Sequence, residues 1–221
     1  MNDGDTRQES EVAVFSFLER GLAQISSEID RSKVQQLADL VMLLESWASK
    51  INLTGHRDPI RMAGRLVLDA AALNAALPEL HSARSFADLG TGAGFPGLPL
   101  AILNPSAQAF LVDSRLKRNH FQRAARRELQ LDNTHPVLGR SDQVERTLCD
   151  VVVAQAMTQP EAALELMAQW ATPDALLALP ASEFADPPNT PSGYALAELR
   201  EYVVPEIGTH RRLWLVRPQT S

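Results

Sequence analysis

The sequence predicts an α/β fold, a largely parallel seven-stranded sheet covered by helices and preceded by a helical N-terminal region. Beyond residue 81, short apolar runs alternate with helical stretches, which is the pattern of parallel βαβ units. A glycine-rich segment follows the first of these runs. Only a short turn containing Gly208 separates the last two runs, which predicts an antiparallel hairpin. We therefore divide the chain into a helical region, residues 1–80, and a sheet domain, residues 81–221.

The N-terminal region is predicted to consist of helices. Residues 11–51 carry apolar side chains at three- and four-residue steps, which form one stripe along a helix. A second helical stretch begins near Pro59, a residue type favoured in the first turn, and runs to Leu77. Pro78 ends it, because proline cannot continue a helix. The stripe of the first stretch consists of Val34, Leu37, Val41, Leu44 and Ala48.

The sheet domain is predicted to contain five parallel strands, four helices between them and a final hairpin. The parallel strands are placed at Ser85–Leu89, Ala109–Val112, His135–Leu138, Asp150–Ala154 and Ala175–Leu179. The helices are placed near residues 96–103, 115–130, 141–147 and 160–171. A stretch rich in Pro, Ser and Asn, residues 180–193, then leads to the hairpin strands Arg200–Val204 and Arg212–Val216.

Composition and charge restrict the class of protein. The chain has 221 residues, of which 45% are apolar, enough for one well-buried core. The first ten residues are polar and acidic, so no signal peptide is expected, and no apolar run approaches the roughly 20 residues of a membrane-spanning helix. Cys149 is the one cysteine, which excludes an internal disulfide and the usual multi-cysteine zinc sites. We expect a cytoplasmic monomer without a metal ion.

The most informative segment is the glycine-rich one, residues 86–97, which joins a strand to a helix. Gly90, Gly92 and Gly94 stand at alternate positions, which is more glycine than a tight turn requires, so the segment is predicted to bind a ligand. Gly92, Gly94 and Gly97 also match the GxGxxG pattern of dinucleotide-binding loops. A nicotinamide oxidoreductase therefore stays open at this point.

Two acidic residues bear on the choice of ligand. Asp88 precedes the first glycine by two residues, where a carboxylate suits the positively charged amino group of S-adenosylmethionine but not a pyrophosphate. Asp113 ends the next strand, about 20 residues beyond the loop, where an acidic side chain accepts both ribose hydroxyls of a nucleoside. Asp113 suits either cofactor, so Asp88 decides the preference for S-adenosylmethionine.

A basic segment follows Asp113. Residues 115–127 include seven Arg, Lys or His side chains and no acidic one, in a protein whose net charge is −6. Arg123, Arg126 and Arg127 share one face of the predicted helix. Two interpretations are possible, a solvated outer face or a patch that contacts nucleic-acid phosphates. Arg140 follows the third strand, so it is expected at the same edge of the sheet as the basic segment, where it could contact cofactor or RNA.

No catalytic triad is expected if the methyl acceptor already presents a lone pair, as N7 of guanine does. No general base is then needed, and proximity and alignment provide the acceleration. Two other acceptor classes are disfavoured. The segment Val153–Met157 lacks the Asn/Asp-Pro-Pro-aromatic motif of amino-nitrogen methylation in DNA. Pyrimidine C5 methylation needs a cysteine nucleophile, and Cys149 is predicted to be buried at the start of a strand.

Residues from about 40 to 217 resemble the bacterial 16S rRNA guanine-N7 methyltransferase family, also called the glucose-inhibited division protein B family. The most specific match is residues 88–100, where Gly-x-Pro-Gly-x-Pro extends the glycine loop. The other matches are Asn52-Leu53-Thr54, Arg57-Asp58-Pro59, Arg65, Leu68-Asp69, Val112-Asp113-Ser114, Lys117-Arg118, Phe121, Arg123, Leu131-Asp132-Asn133 and Arg140.

The resemblance implies a class I S-adenosylmethionine-dependent methyltransferase that acts on N7 of a guanine in 16S ribosomal RNA, either free or within the small subunit. It also implies site residues, none of them a general base. Arg65, Lys117, Arg123 and Arg140 would face cofactor or RNA. The cofactor pocket would be formed by Asp88, Gly90, Thr91, Gly92, Ala93, Gly94, Phe95, Asp113, Ser114 and Arg140.

Three positions depart from the family pattern. Gln155 and Pro180 stand where family members usually have an arginine and a lysine, and Leu66 replaces a histidine that commonly follows the arginine matched by Arg65. Two of the missing groups are cations near the expected acceptor site, and each lost charged contact weakens binding by about 1.5–3 kcal/mol. Two alternatives therefore stay open. The same fold could act on another acceptor, or the chain could be a diverged paralogue that binds S-adenosylmethionine or RNA without turnover.

Overall fold

The computed structural model describes residues 3–26, 29–49 and 53–219. The N-terminal part is helical, as the sequence predicts. The second predicted helix is continuous in space but changes character along its length, with a π-helical middle between two α-helical ends. The elements are α1 (Asp3–Ile25), α2 (Arg31–Ala48), α3 (Pro59–Met62), the π-helical segment Ala63–Leu68, α4 (Asp69–Ala76) and a short 3₁₀ helix, Pro78–His81.

The helix predicted over residues 11–51 is interrupted between α1 and α2. Asp30 caps the second helix, because its Oδ1 accepts hydrogen bonds from the Lys33 amide at 2.9 Å and from the Ser32 hydroxyl at 2.5 Å. An aspartate in this position satisfies an amide that has no partner inside the helix, so it starts a new helix. The polar run around Asp30 is the sequence signal for this break.

Within the described ranges, the sheet contains seven strands in the order β3-β2-β1-β4-β5-β7-β6. Strands β1 to β5 are parallel to one another, while β7 pairs antiparallel with both β5 and β6. All seven strands and the hairpin therefore confirm the sequence prediction. Their bounds are β1 (Ser85–Leu89), β2 (Gln108–Asp113), β3 (Thr134–Leu138), β4 (Cys149–Ala154), β5 (Ala171–Ser182), β6 (Tyr194–Val204) and β7 (Thr209–Pro218).

Three of the four predicted helices of the sheet domain are present, namely α5 (Gly97–Leu103), α6 (Leu116–Glu128) and α7 (Pro160–Ala168). The fourth, predicted at residues 141–147, is wrong, because residues 141–143 form a turn and residues 145–147 have no regular structure. Trp170 Nε1 donates to the Ser141 carbonyl at 3.0 Å, a tertiary contact that ties the segment to the residue before β5. Val144 is the one apolar side chain of the segment, so a helix there would have no stripe to bury.

Apolar clusters cover both faces of the sheet. One cluster joins the N-terminal helices and α6 to one face, with Leu37, Leu68 and Phe121 fully buried. The other packs α7 and Trp170 against the opposite face. The division of the chain between residues 80 and 81 stays a prediction. No helix in the described ranges has both the length and the hydropathy needed to cross a lipid bilayer.

Candidate cofactor and acceptor sites

The glycine loop lies at the carboxyl ends of β1 and β2, where open parallel sheets usually bind ligands. The Gly90 and Thr91 amides donate to the Val112 carbonyl at 2.9 and 3.1 Å, so the loop continues over the end of β2. Gly90 has φ +71°, and a Cβ there would come within 2.5 Å of the Met157 side chain. Only glycine therefore fits at the point where the loop passes Met157.

Asp88, near the end of β1, holds the two ends of the glycine loop. Its side chain is fully buried, and Oδ2 accepts hydrogen bonds from the Thr91 hydroxyl at 2.5 Å and the Gly97 amide at 2.8 Å. A Cβ at Gly97 would lie 2.8 Å from that oxygen and 2.3 Å from Leu111, so glycine lets α5 approach the sheet. Oδ1 has no hydrogen-bond partner in the part of the chain that the structure describes. Burial raises the pKa of Asp88 from 3.8 to about 7.

Asp113 joins the loop to the first turn of α6. Its Oδ2 accepts hydrogen bonds from the Gly92 amide at 3.0 Å and from Arg118 Nη1 at 3.1 Å. Its Oδ1 accepts one from the Arg115 amide at 2.8 Å. A further contact from α6, Gln122 Nε2 to the Gly92 carbonyl at 2.8 Å, fixes the same part of the loop. The loop is therefore held in place by side chains from two strands and one helix.

An open cleft of about 640 Å³ lies beside the loop, within the size range of small-molecule sites. Of the predicted cofactor residues, four line it: Gly90, Asp113, Ser114 and Arg140. The other predicted residues, Asp88, Thr91, Gly92, Ala93, Gly94 and Phe95, build or support the loop and are not among its lining residues. Sequence reasoning did not assign the remaining lining residues to the cofactor: Val112, Arg115, Arg118, Gly139, Ser141, Asp142, Ala156, Met157, Thr158, Ala162 and Leu166.

A second cavity, of about 370 Å³, adjoins the cleft and shares its wall of residues 156–158. It lies at the carboxyl ends of β4 and β5. Gln155 and Pro180, two of the positions that depart from the family pattern, both line it. The same cavity is lined by Arg211 and Trp214 of β7. The second cavity therefore contains a cationic side chain, that of Arg211, which comes from β7 rather than from the ends of β4 and β5.

Arg211 is held in place by a buried carboxylate. Asp69, only 4% exposed, accepts hydrogen bonds from Arg211 Nη2 at 2.5 Å and from Nε at 3.3 Å. Trp214 is 4% exposed, and its Nε1 has no hydrogen-bond partner among the described residues. The sequence signal for these two residues is weak, because they reach the cavity through the antiparallel pairing of β7 with β5, in which Arg211 lies opposite Ser182.

The predicted RNA-facing residues lie outside the cleft, apart from Arg140. Lys117, Arg123 and Arg65 are exposed, and Arg123 Nε donates to Asn119 Oδ1 at 2.8 Å. The side chains of Lys117 and Arg65 have no hydrogen-bond or ion-pair partner within the described ranges. Arg140 is exposed and forms an ion pair with Asp142 at 3.1 Å. Of the resemblance motifs, Asn52 lies outside the described residues.

Cys149 is not available as a nucleophile. The residue is buried at the start of β4, as predicted, and burial raises the pKa of its thiol to about 11. The reactive form of cysteine is the thiolate. A mechanism through a cysteine adduct therefore has no support in this site.

The residues of the cleft fit S-adenosylmethionine. Contacts for a ribose, an amino-acid chain and a flat base are offered by the carboxylate at the end of β2, the Gly90 backbone and the apolar side chains of Val112, Met157 and Leu166. Three arginines line the cleft, Arg115, Arg118 and Arg140; Arg118 is paired with Asp113 and Arg140 with Asp142.

Comparison with known proteins bears on the fold and on the family. A solved structure of an S-adenosylmethionine-dependent methyltransferase from Aquifex aeolicus superposes with a TM-score of 0.52, at 17% identity, over 72% of this chain and 94% of that chain. Ribosomal RNA small subunit methyltransferase G of Haemophilus influenzae (strain PittEE) is 44% identical over 150 residues, 67% of this chain and 70% of the relative. The enzyme of that name from Shewanella piezotolerans is 32% identical over 213 residues, 93% and 99% of the two chains.

The sheet order, the loop and the cleft thus define a class I S-adenosylmethionine-dependent methyltransferase, and the predicted fold class and cofactor are confirmed. The sequence model of the family described as rRNA small subunit methyltransferase G matches residues 33–207. The chain belongs to this family, as its sequence motifs indicate.

Proposed function

We propose that this enzyme transfers the methyl group of S-adenosylmethionine to N7 of a guanine in 16S ribosomal RNA. The observation that carries the proposal is the pair of adjoining cavities with a common wall at residues 156–158. One cavity fits the cofactor, and the other contains the cationic side chain of Arg211. The relatives are named for the RNA of the small ribosomal subunit, which supports the choice of acceptor.

The first cavity would bind and orient the cofactor. Asp113 would accept the ribose hydroxyls, and the Gly90 backbone, which lines the cleft, would lie beside the cofactor. Asp88 would act chiefly through the loop, since its Oδ2 is bonded to Thr91 and Gly97. Direct contact of Asp88 with the cofactor amino group stays a prediction. When bound, the cofactor supplies a methyl group on a positively charged sulfur, which is transferred in one displacement.

The second cavity would hold the acceptor base in line with that methyl group. Guanine N7 has a free lone pair, so the protein needs to position the base and exclude water rather than to remove a proton. The O6 atom beside N7 accepts hydrogen bonds. The side chains with donor groups that line this cavity are Arg211, Gln155, Trp214, Thr158 and Ser182. Arg211 thus brings a guanidinium, paired with Asp69, to the cavity in which the family usually has an arginine at position 155.

The exposed face of α6 would bind the RNA backbone. Arg123, Arg126 and Lys117 project from it, and their charge would attract phosphates to an otherwise acidic protein. Arg65 and Arg140 are further candidates for contact with RNA or cofactor. We propose that the protein works as a monomer in the cytoplasm, on 16S rRNA or on the small ribosomal subunit.

Transfer of a labelled methyl group tests this proposal directly. Purified protein and labelled S-adenosylmethionine would be incubated with unmodified 16S rRNA and, separately, with small subunits lacking the modification. We expect 7-methylguanosine as the labelled nucleoside after complete digestion. The variant Asp113→Ala serves as the negative control. Label in another nucleoside, or none with either acceptor, would contradict the proposal.

A further inference from the structure

Arg118 lies at the point where the cofactor ribose is expected to bind. Its Nη1 is 3.1 Å from Asp113 Oδ2, and its guanidinium is 3.9 Å from the position that a Cβ would take at Gly92. The side chain is 30% exposed and lines the cofactor cleft. Arg118 therefore covers both the carboxylate and part of the loop that the cofactor would contact.

The acceptor positions of Asp113 are too few for all its partners. An ionised carboxylate offers about four lone-pair positions. The Gly92 amide, the Arg115 amide and Arg118 already occupy three. Two ribose hydroxyls would bring the number of donors to five, so one of the present donors must leave. Gly92 and Arg115 donate through backbone amides that belong to the loop and the helix start, whereas Arg118 donates through a flexible side chain.

We propose that Arg118 changes partner when the cofactor binds, from Asp113 to a phosphate of the RNA. The released guanidinium would join Arg115 and Lys117, which are exposed in the same turn at the start of α6 and whose side chains have no partner among the described residues. Cofactor binding would thereby add one cation to the surface that contacts RNA. This inference rests on the proposed function for its RNA partner, but not for the competition at Asp113.

The exchange makes the binding of cofactor and RNA cooperative. The ion pair with Asp113 opposes cofactor binding, and the cofactor removes it. An RNA that holds Arg118 by a phosphate would likewise leave Asp113 open to the ribose. Thermodynamic linkage then requires each ligand to raise the affinity for the other by the same factor. A partly exposed ion pair limits this factor to roughly two- to fivefold.

Calorimetric titration with S-adenosylhomocysteine, which carries the same ribose, tests the competition without RNA. We expect Arg118→Ala to bind it roughly two- to fivefold more tightly than the wild type, and Arg118→Lys, which keeps a cation, to lie between the two. Thermal unfolding of each variant shows whether it is folded. Equal or weaker binding by Arg118→Ala would overturn the proposal, because Arg118 would then not compete with the ribose.

The RNA half is tested by the affinity of a 16S rRNA transcript with and without S-adenosylhomocysteine. The wild type should bind the RNA more tightly with it, by the same factor, and Arg118→Ala should not. Arg126 is exposed farther along the same helix, so Arg126→Ala is the matched control. It should weaken RNA binding by the same factor with and without S-adenosylhomocysteine. Persistent coupling in Arg118→Ala would overturn the exchange. If the RNA does not bind at all, the proposed acceptor is wrong, and the titration without RNA still decides the competition.

Discussion

The cofactor cleft and the acceptor cavity differ in which elements hold their polar groups in place. In the cofactor cleft, Asp113 and the loop amides are bonded to one another, and the loop position is fixed by contacts from β1, β2 and α6. In the acceptor cavity, the Trp214 indole has no partner among the described residues, and the cation of Arg211 is tied to the N-terminal helices through Asp69. The cofactor site is therefore built into the sheet, while the acceptor site depends on β7 and on the helical region.

The largest effect is expected at Asp88, beneath the cofactor loop. Its pKa is raised by burial to about 7, so its neutral form is favoured in the folded state. The stability this provides is fully present below about pH 4 and is lost as the pH rises through about 7. Asp88→Asn removes the titration, so its free energy of unfolding relative to the wild type should increase with pH, by up to about 4 kcal/mol.

Urea unfolding at a series of pH values from 4 to 8 measures this difference. Asp132→Asn, an exposed carboxylate on the surface, is the control and should follow the wild type at every pH. If the Asp88→Asn and wild-type curves run parallel, Asp88 is charged throughout, and the loop is not supported by a neutral carboxyl group.

Asp113→Ala should weaken cofactor binding by roughly 10- to 100-fold, the loss expected for charge-assisted hydrogen bonds to a carboxylate. Asp142→Ala is the matched control, because Asp142 lines the same cleft but is exposed and paired with Arg140. Calorimetric titration with S-adenosylmethionine gives both affinities. Similar losses in the two variants would indicate a general electrostatic effect rather than a ribose contact at Asp113.

Arg211→Lys tests the role of the acceptor cavity. A lysine keeps the charge but cannot form the two-armed contact with Asp69, so the cation should be misplaced. We expect roughly tenfold slower methyl transfer to RNA, with S-adenosylmethionine affinity unchanged within about twofold. The control is Arg212→Lys, on the same strand but paired with Glu201. A loss of cofactor affinity instead would show that the two cavities do not act separately.

The smallest effect is expected on the exposed face of α6. Arg123→Ala should lower RNA affinity by a few-fold and reduce the slope of log affinity against log salt by about 0.7–0.9, the change for one phosphate contact. Filter binding or fluorescence anisotropy across a salt series measures this slope. The neighbouring Arg127, which pairs with Glu128, provides a control position through Arg127→Ala. An unaltered slope for Arg123→Ala would mean that this face of α6 is a solvated outer surface that does not contact RNA phosphates.

The sequence predicted those features that depend on local patterns. The strands were located by short apolar runs, and the loop by glycines whose spacing reflects positive φ values and the close approach of α5 at Gly97. Asp113 and Gly90 line the cleft, and their contact with the cofactor stays a prediction. The helix prediction at residues 141–147 is wrong because the segment has one apolar side chain, Val144, and therefore no apolar stripe. The bond from Trp170 to the Ser141 carbonyl is a tertiary contact that the sequence does not reveal.

The acceptor cavity could not be predicted in the same way. Arg211 and Trp214 reach it through the antiparallel register of β5 and β7, in which Leu179 lies opposite Trp214. Gln155 and Pro180, each compared with the cation that family members usually have at that position, indicate a loss of charge. The structure shows that a cation from another strand lies in the same cavity, which sequence spacing does not reveal.

The central claim is that this chain methylates a guanine of 16S rRNA at N7. Chemical cleavage at 7-methylguanosine would map this modification in the parent strain, in a strain without the gene, and in that strain carrying either the gene or its Asp113→Ala variant. We predict one site of cleavage in the parent that disappears on deletion and returns only with the intact gene. An unchanged cleavage pattern after deletion would contradict the claim and favour another acceptor or a paralogue that binds without turnover.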